Sequence, residues 1–228
     1  MSELTLAAVD RDDVLGEAIE ALHGSTRAGF LRSAALGGAA LLSTLATPTE
    51  AAAKVSDIDI LQFGLRFERL QATFYTQADE LGTIARMTDA KQRWARTLGA
   101  HERAHVKIIK QVLGPKVEPR PFFSFGEATE SGDAFTRTAV AMEDLTVALL
   151  AGVTPAVHNR QLTAALFGLL TVEARHAAWA RSIVGANPAP DAMDRARSLA
   201  SVRGAVDRTN FIVGQPKMTA RGRPRYAG

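Results

Sequence analysis

Cysteine is absent from the 228 residues, which excludes disulfides, thiolate metal sites and cysteine nucleophiles. The chain is thereby free to work in a reducing or an oxidising compartment. Aromatic residues are sparse at 6%, while apolar residues reach 46%, the balance of a helical globular domain long enough to bury one core. Sustained apolar–polar alternation rich in β-branched residues is missing, which argues against a sheet protein. The uncharged run Ser33 to Thr47 spans only 15 residues, short of the roughly 20 that a bilayer crossing needs. A net charge of +3 is too small to argue for nucleic acid as a partner.

That short run has its own meaning. Arg27 and Arg32 precede it and Ala51-Ala52-Ala53 follow it, the layout of a secretory signal with a small-residue cleavage site. Thr26-Arg27-Ala28-Gly29-Phe30-Leu31-Arg32 resembles a twin-arginine export signal, with Ala28 where that signal has its second arginine. Residues 1–53 are therefore expected to act as a signal-like segment that directs export to the periplasm or cell envelope. If the degenerate signal is not used, the protein stays cytoplasmic and the amphipathic stretch Asp10 to His23 belongs to an N-terminal helix pair. Cleavage after Ala53 would leave a basic protein with 24 basic and 17 acidic residues, net charge +7, and no stable transmembrane helix. Lys217, Arg221, Arg223 and Arg225 form a basic C-terminal tail.

From Val55 onward the period is helical. A first helix is predicted from about Asp57, read as its N-cap, to Leu81, with an apolar seam of Ile58, Leu61, Leu65, Ala72 and Tyr75. Its steps of three and four are those of a bundle, and the seam position between Leu65 and Ala72 is Glu68. A second helix, Asp89 to Leu113, has the seam Trp94, Leu98, Glu102, His105, Ile109 and Val112. A third, Asp133 to Ala151, has Phe135, Ala139, Glu143, Val147 and Leu150. A fourth, Asn159 to Val184, has Leu162, Leu166, Leu169, Glu173, His176, Ala180 and Ile183. Each seam is interrupted near its middle by a residue type that binds metals.

Glu102 and His105 are three residues apart, as are Glu173 and His176, so each pair leaves one helix face and can hold one ion. Four unpartnered carboxylates in a core would repel or be forced to protonate. Two divalent cations would cancel their charge. A surface salt-bridge role explains one Glu-x-x-His pair, but not two such pairs plus a seam glutamate on each of the other helices. Carboxylate oxygens with one imidazole per ion suit iron or manganese better than a closed structural zinc site. Tyr75 lies seven residues from Glu68 on the same face, a candidate for a hydrogen bond to the site or for electron transfer, with core packing as the competing role. His101 flanks the seam, His158 sits in a turn before the fourth helix, and Trp94 and Trp179 read as core or helix-packing residues.

The connections within each helix pair are short, whereas Gly114 to Gly132, with Pro115, Pro119 and Pro121 beside Phe122, Phe123 and Phe125, can cross the length of a bundle. The ligand order Glu68, Glu102-x-x-His105, Glu143, Glu173-x-x-His176 resembles the ferritin-like di-metal carboxylate bundles. Asp57-Ile-Asp-Ile-Leu, Phe67-Glu68 with Phe74-Tyr75, Met142-Glu143-Asp144 and Glu173-Ala-Arg-His176-Ala-Ala narrow the likeness to the exported bacterial ferritin-like domain family related to desiccation-related proteins, over about residues 55 to 185. Gln71 departs from it, standing where many relatives are expected to carry a second glutamate.

The resemblance implies an all-α, ferritin-like four-helix bundle at residues 54–190, with a long crossover between its second and third helices and a C-terminal helix and tail at 191–228. It implies that Glu102 and Glu173 bridge two iron or manganese ions per chain, that Glu68 and Glu143 are terminal ligands, and that each histidine holds one ion. Ferrous iron, dioxygen or peroxide would be the substrates of a stress-protective oxidoreductase. The alternative is a non-enzymatic, desiccation-associated protein whose metals hold the bundle together. Assembly into a homo-oligomer is left open by the sequence.

Overall fold

The computed structural model describes residues 55–214. The signal-like segment, its cleavage site and the basic tail lie outside the described residues. Within them are six α-helices, α1 (Asp57–Glu80), α2 (Asp89–Leu113), α3 (Glu127–Glu130), α4 (Gly132–Val153), α5 (Arg160–Ile183) and α6 (Leu199–Thr209). Two residues of β1 (Phe122–Phe123) pair antiparallel with two of β2 (Ile212–Val213). The four long helices are those expected from the seams, and the chain is all-α.

Local chemistry sets the helix ends. Ser56, rather than the expected Asp57, caps α1: its hydroxyl accepts from the Asp59 N–H, and the Asp59 carboxylate accepts from the Ser56 N–H, each at 3.2 Å. Asp57 instead reaches across the bundle, accepting the backbone N–H groups of His158 and Asn159, both at 2.9 Å. That clamp puts the starts of α1 and α5 at one end, so these helices run parallel. Asn159 caps α5 through the N–H groups of Gln161 and Leu162 at 2.9 and 3.0 Å.

The crossover between α2 and α4 climbs along α1. Arg69 donates to the Glu118 carbonyl at 2.9 Å, Arg120 to the Thr73 hydroxyl at 2.6 Å, and Gln77 to the Thr129 hydroxyl at 2.7 Å. With Gln62 donating to the Lys116 carbonyl, its contacts thus advance along α1 from Gln62 to Gln77, as a bundle with two parallel pairs requires. The proline-rich run Pro115 to Phe125 reads in the sequence as a strap along the outside of the bundle; instead Phe123 and Phe125 insert into the core, because three prolines rigidify the strap while its aromatic side chains have apolar surface to bury. Covered by this strap, α1 buries 15 of its 24 residues against 5 of 24 in α5, so it has no polar outer face of the kind a single seam implies.

Other expectations shift by a residue or a turn. Val112 is 58% exposed and Leu113 takes its place inside, since a 3.6-residue turn drifts away from a strict 3-4 alternation. Ile58 is exposed in the first turn of α1, and Trp179 is 39% exposed rather than a core residue. The C-terminal helix expected within 191–228, which the sequence places at about Asp191 to Arg208, begins only at Leu199, where Ser198 caps it. Val202 and Val206 of α6 join the main core. By length and composition Gly132–Ala156 is apolar enough to cross a membrane, but Phe135, Ala139 and Val147 of α4 are buried in the bundle.

Candidate metal centre

Glu68 from α1, Glu102 and His105 from α2, Glu143 from α4, and Glu173 and His176 from α5 meet at the middle of the bundle, all buried. They form two overlapping groups, Glu68, Glu102, His105 and Glu173, and Glu102, Glu143, Glu173 and His176. Within each group one ligand atom per residue lies within 4.8 Å of the others. Glu102 and Glu173 belong to both.

The sharing is divided oxygen by oxygen. His105 Nδ1 lies 2.9 Å from Glu173 Oε1, 3.3 Å from Glu68 Oε2 and 3.7 Å from Glu102 Oε2. His176 Nδ1 lies 3.2 Å from Glu102 Oε1, 3.2 Å from Glu173 Oε2 and 3.6 Å from Glu143 Oε2. Each shared carboxylate thus turns one oxygen to each imidazole, the arrangement a bridging ligand needs. Several of these atoms, including both Glu102 oxygens, His105 Nδ1 and Glu143 Oε2, have no hydrogen-bond partner, though such buried groups are ordinarily satisfied.

Electrostatics shows the same shortfall of positive charge. Burial, followed by the charge of Glu102, pushes Glu68 well above the usual carboxylate range and Glu143 up to about 8. Burial opposes ionisation of Glu102 too, but the His105 and His176 imidazoles that face its two oxygens win and hold it at about 2. Burial likewise disfavours both imidazolium ions; the surrounding carboxylates, Glu102 foremost, overcome it and raise His105 to about 12 and His176 to about 11. Without metal, protons crowd into the positions where cations fit. Four carboxylates and two imidazoles with unpartnered inward atoms are a donor set suited to two divalent ions of the iron or manganese kind.

Groups outside the six fix the ligands. Tyr75, expected on this face, donates to Glu143 Oε1 at 2.6 Å and leaves Oε2 turned inward. Its hydroxyl is held protonated by burial and then by the neighbouring Glu143 charge. Gly99 lets α2 approach here, since a Cβ at that position would lie 2.8 Å from the Tyr75 Cβ. Phe74, Trp94 and Phe135 pack edge-on around the tyrosine ring, at centroid distances of 5.6, 6.2 and 5.6 Å. The exposed His101 places Nδ1 2.9 Å from His176 Nε2, and the two rings stack at 5.1 Å. His158, by contrast, stays at the surface against Asp57.

Sequence reasoning treated Gln71 only as a departure from a family pattern and passed over Thr146 entirely. The structure buries them together, with the Thr146 hydroxyl 2.8 Å from Gln71 Oε1. Their spacing held the signal, because each lies three residues after a ligand glutamate. The Asp144–Arg181 ion pair, 2.8 Å, ties α4 to α5 beside Glu143 and was also unforeseen.

A family model described as a ferritin-like domain matches residues 56–186, more than half of the chain and the whole stretch that carries the six ligand-type residues. None of the curated proteins compared with the chain matches it.

Proposed function

The chain belongs to the ferritin-like domain family, and we propose that it is an oxidoreductase of the di-metal type, using two iron or manganese ions to oxidise ferrous iron or to reduce dioxygen or peroxide in stress protection. One observation carries the reading: two buried Glu-Glu-Glu-His groups share Glu102 and Glu173, each of which offers one oxygen to either side. Glu68 and His105 would complete the first ion's protein ligands, and Glu143 and His176 the second's. Bound there, the ions would supply one-electron redox chemistry and charge stabilisation of reduced oxygen.

The chain's own groups do the rest. Tyr75 holds Glu143 to one side and keeps a proton next to the centre. His101 fixes the ring of His176, so that Nδ1 is the inward nitrogen. Side chains from four helices exclude bulk water, which strengthens every charge interaction inside. With ferrous iron as substrate the reaction balances: two ferrous ions give up two electrons, and one dioxygen with two protons becomes hydrogen peroxide.

Metal analysis of the protein from its source, followed by dioxygen and peroxide consumption with ferrous iron, tests the proposal. Two ions per chain and metal-dependent turnover are expected. A zinc-filled centre that stays inert after reloading with iron or manganese would overturn the enzyme reading.

A further inference from the structure

The end of the bundle at which α1 begins contains a cavity of about 20 Å³ against the metal centre. Its walls come from all four long helices, chiefly Ile60, Leu61, Phe67, Ile109, Leu150 and Leu166. Glu68 and Thr146 are the polar side chains among its lining residues, so it touches the centre through one candidate ligand. The Thr146 hydroxyl is already placed between the Met142 carbonyl at 3.1 Å and Gln71 at 2.8 Å. Water needs two to four polar partners to settle in a buried space, and this one offers little beyond Glu68. The volume is about that of one small molecule.

Gly64 gives an independent sign that the space is kept open. A glycine inside a helix costs about 1 kcal/mol relative to alanine, yet nothing forbids a side chain here: a Cβ at Gly64 would meet no atom within 4 Å. Gly64 and Leu169 both line the cavity and are only half-buried, so they mark its outer edge.

We propose that this cavity is a holding site for dioxygen, which enters past Gly64 and reaches the metal centre beside Glu68. The assignment rests on the di-metal reading and sharpens it. An apolar diatomic molecule needs no hydrogen bonds from the lining, whereas peroxide would give up its own on entering. Dioxygen is therefore the oxidant that this path serves.

The test uses the full chain loaded with zinc, which is diamagnetic, under dioxygen pressure. Paramagnetic broadening of the Leu61, Ile109 and Leu150 methyl signals should exceed that of Val202, a core residue away from the cavity. Gly64→Leu should abolish the excess, and Gly64→Ala, which favours the helix and should fold, should reduce it. With iron as substrate, Gly64→Leu should slow dioxygen-driven oxidation about tenfold, while peroxide-driven oxidation and metal content stay unchanged. Broadening at the three cavity residues no greater than at Val202 would overturn the proposal, as would equal slowing of the dioxygen and peroxide reactions. Zinc content near zero would overturn the di-metal reading itself, and with it the role given to the cavity, even where broadening shows that dioxygen enters.

Discussion

Around His105 the Glu/His cluster meets an apolar cavity and aliphatic side chains, whereas around His176 it meets a tyrosine hydroxyl and a second imidazole. The ligands are the same on both sides, one histidine, one private glutamate and two shared ones. The surroundings differ because the two Glu-x-x-His helices run antiparallel, which sends His105 toward the start of α1 and His176 toward the aromatic end. Two ions held by equal ligands would then have unequal positions. The one near His176 would be braced by a buried tyrosine hydroxyl and an exposed imidazole, and the one near His105 would face the apolar cavity.

The most severe way to break the comparison is to remove a residue that belongs to both halves. Glu102→Ala deletes the carboxylate that turns Oε2 toward His105 and Oε1 toward His176. Metal content should fall from two ions to one or none, turnover should vanish, and the melting temperature of the loaded protein should drop to near that of metal-free protein. Equal metal content in wild type and in a Glu102→Ala, Glu173→Ala double variant, measured by elemental analysis, would reject the shared centre.

The metal-free cluster sharpens the comparison through its protons. At pH 7 the side near His176 holds protons on Glu143 and His176, and the side near His105 holds one on His105, beside a Glu68 carboxyl raised by burial and the Glu102 charge. Loading two divalent ions should therefore release about three protons per chain or more, readable with a pH indicator in weak buffer. The stability of metal-free protein follows with a definite sign. Glu143 is raised from 4.5 to about 8, so its contribution declines as pH climbs through that interval. The histidines are raised as well, so their contribution is complete below 6.5 and is lost as pH rises toward 11 and 12. Glu102 acts oppositely, stabilising above 4.5 and failing as pH falls toward 2. Metal-free protein should thus be most stable near pH 5 and melt roughly 10 °C lower at pH 8, the scale of a few kcal/mol in a domain of this size. Holo protein should show no such decline, because cations replace the protons.

Much of this was legible in the sequence because helices write their inward faces at a fixed period. Glu68, Glu102, Glu143 and Glu173 interrupt four apolar seams, and no knowledge of how the helices pack is needed to see it. Legibility failed where burial came from outside the helix concerned. Arg69, Thr73 and Gln77 look like a solvated face of α1, yet the crossover covers them. Phe123 and Phe125 sit in an aperiodic strap, so their partner could not be inferred from spacing. The cavity beside Glu68 is edged by Gly64, which periodicity records only as a weak helix position. The different settings of the two histidines required a third dimension, since both motifs read Glu-x-x-His.

The smallest expected effect tests those settings directly. His101 touches His176 alone among the six ligand residues, with its Nδ1 2.9 Å from Nε2, and it lies at the surface where its loss leaves no core void. Burial, followed by the charges of His176 and His105, lowers its pKa, so it is neutral at pH 7 and its Nδ1 can accept the His176 N–H. Removing such a partner of a ligand histidine typically weakens metal binding about 10–100-fold. In a calorimetric titration, His101→Ala should therefore weaken one of the two binding steps by about that factor and leave the other unchanged. The melting temperature of metal-free protein should hardly move. His158→Ala, at a histidine exposed beside Asp57 and remote from the centre, should leave both binding steps and activity intact. If His101→Ala weakens both steps alike, the two halves act as one unit and the distinction between them fails; if it weakens neither, the contact with His176 has no role in holding metal.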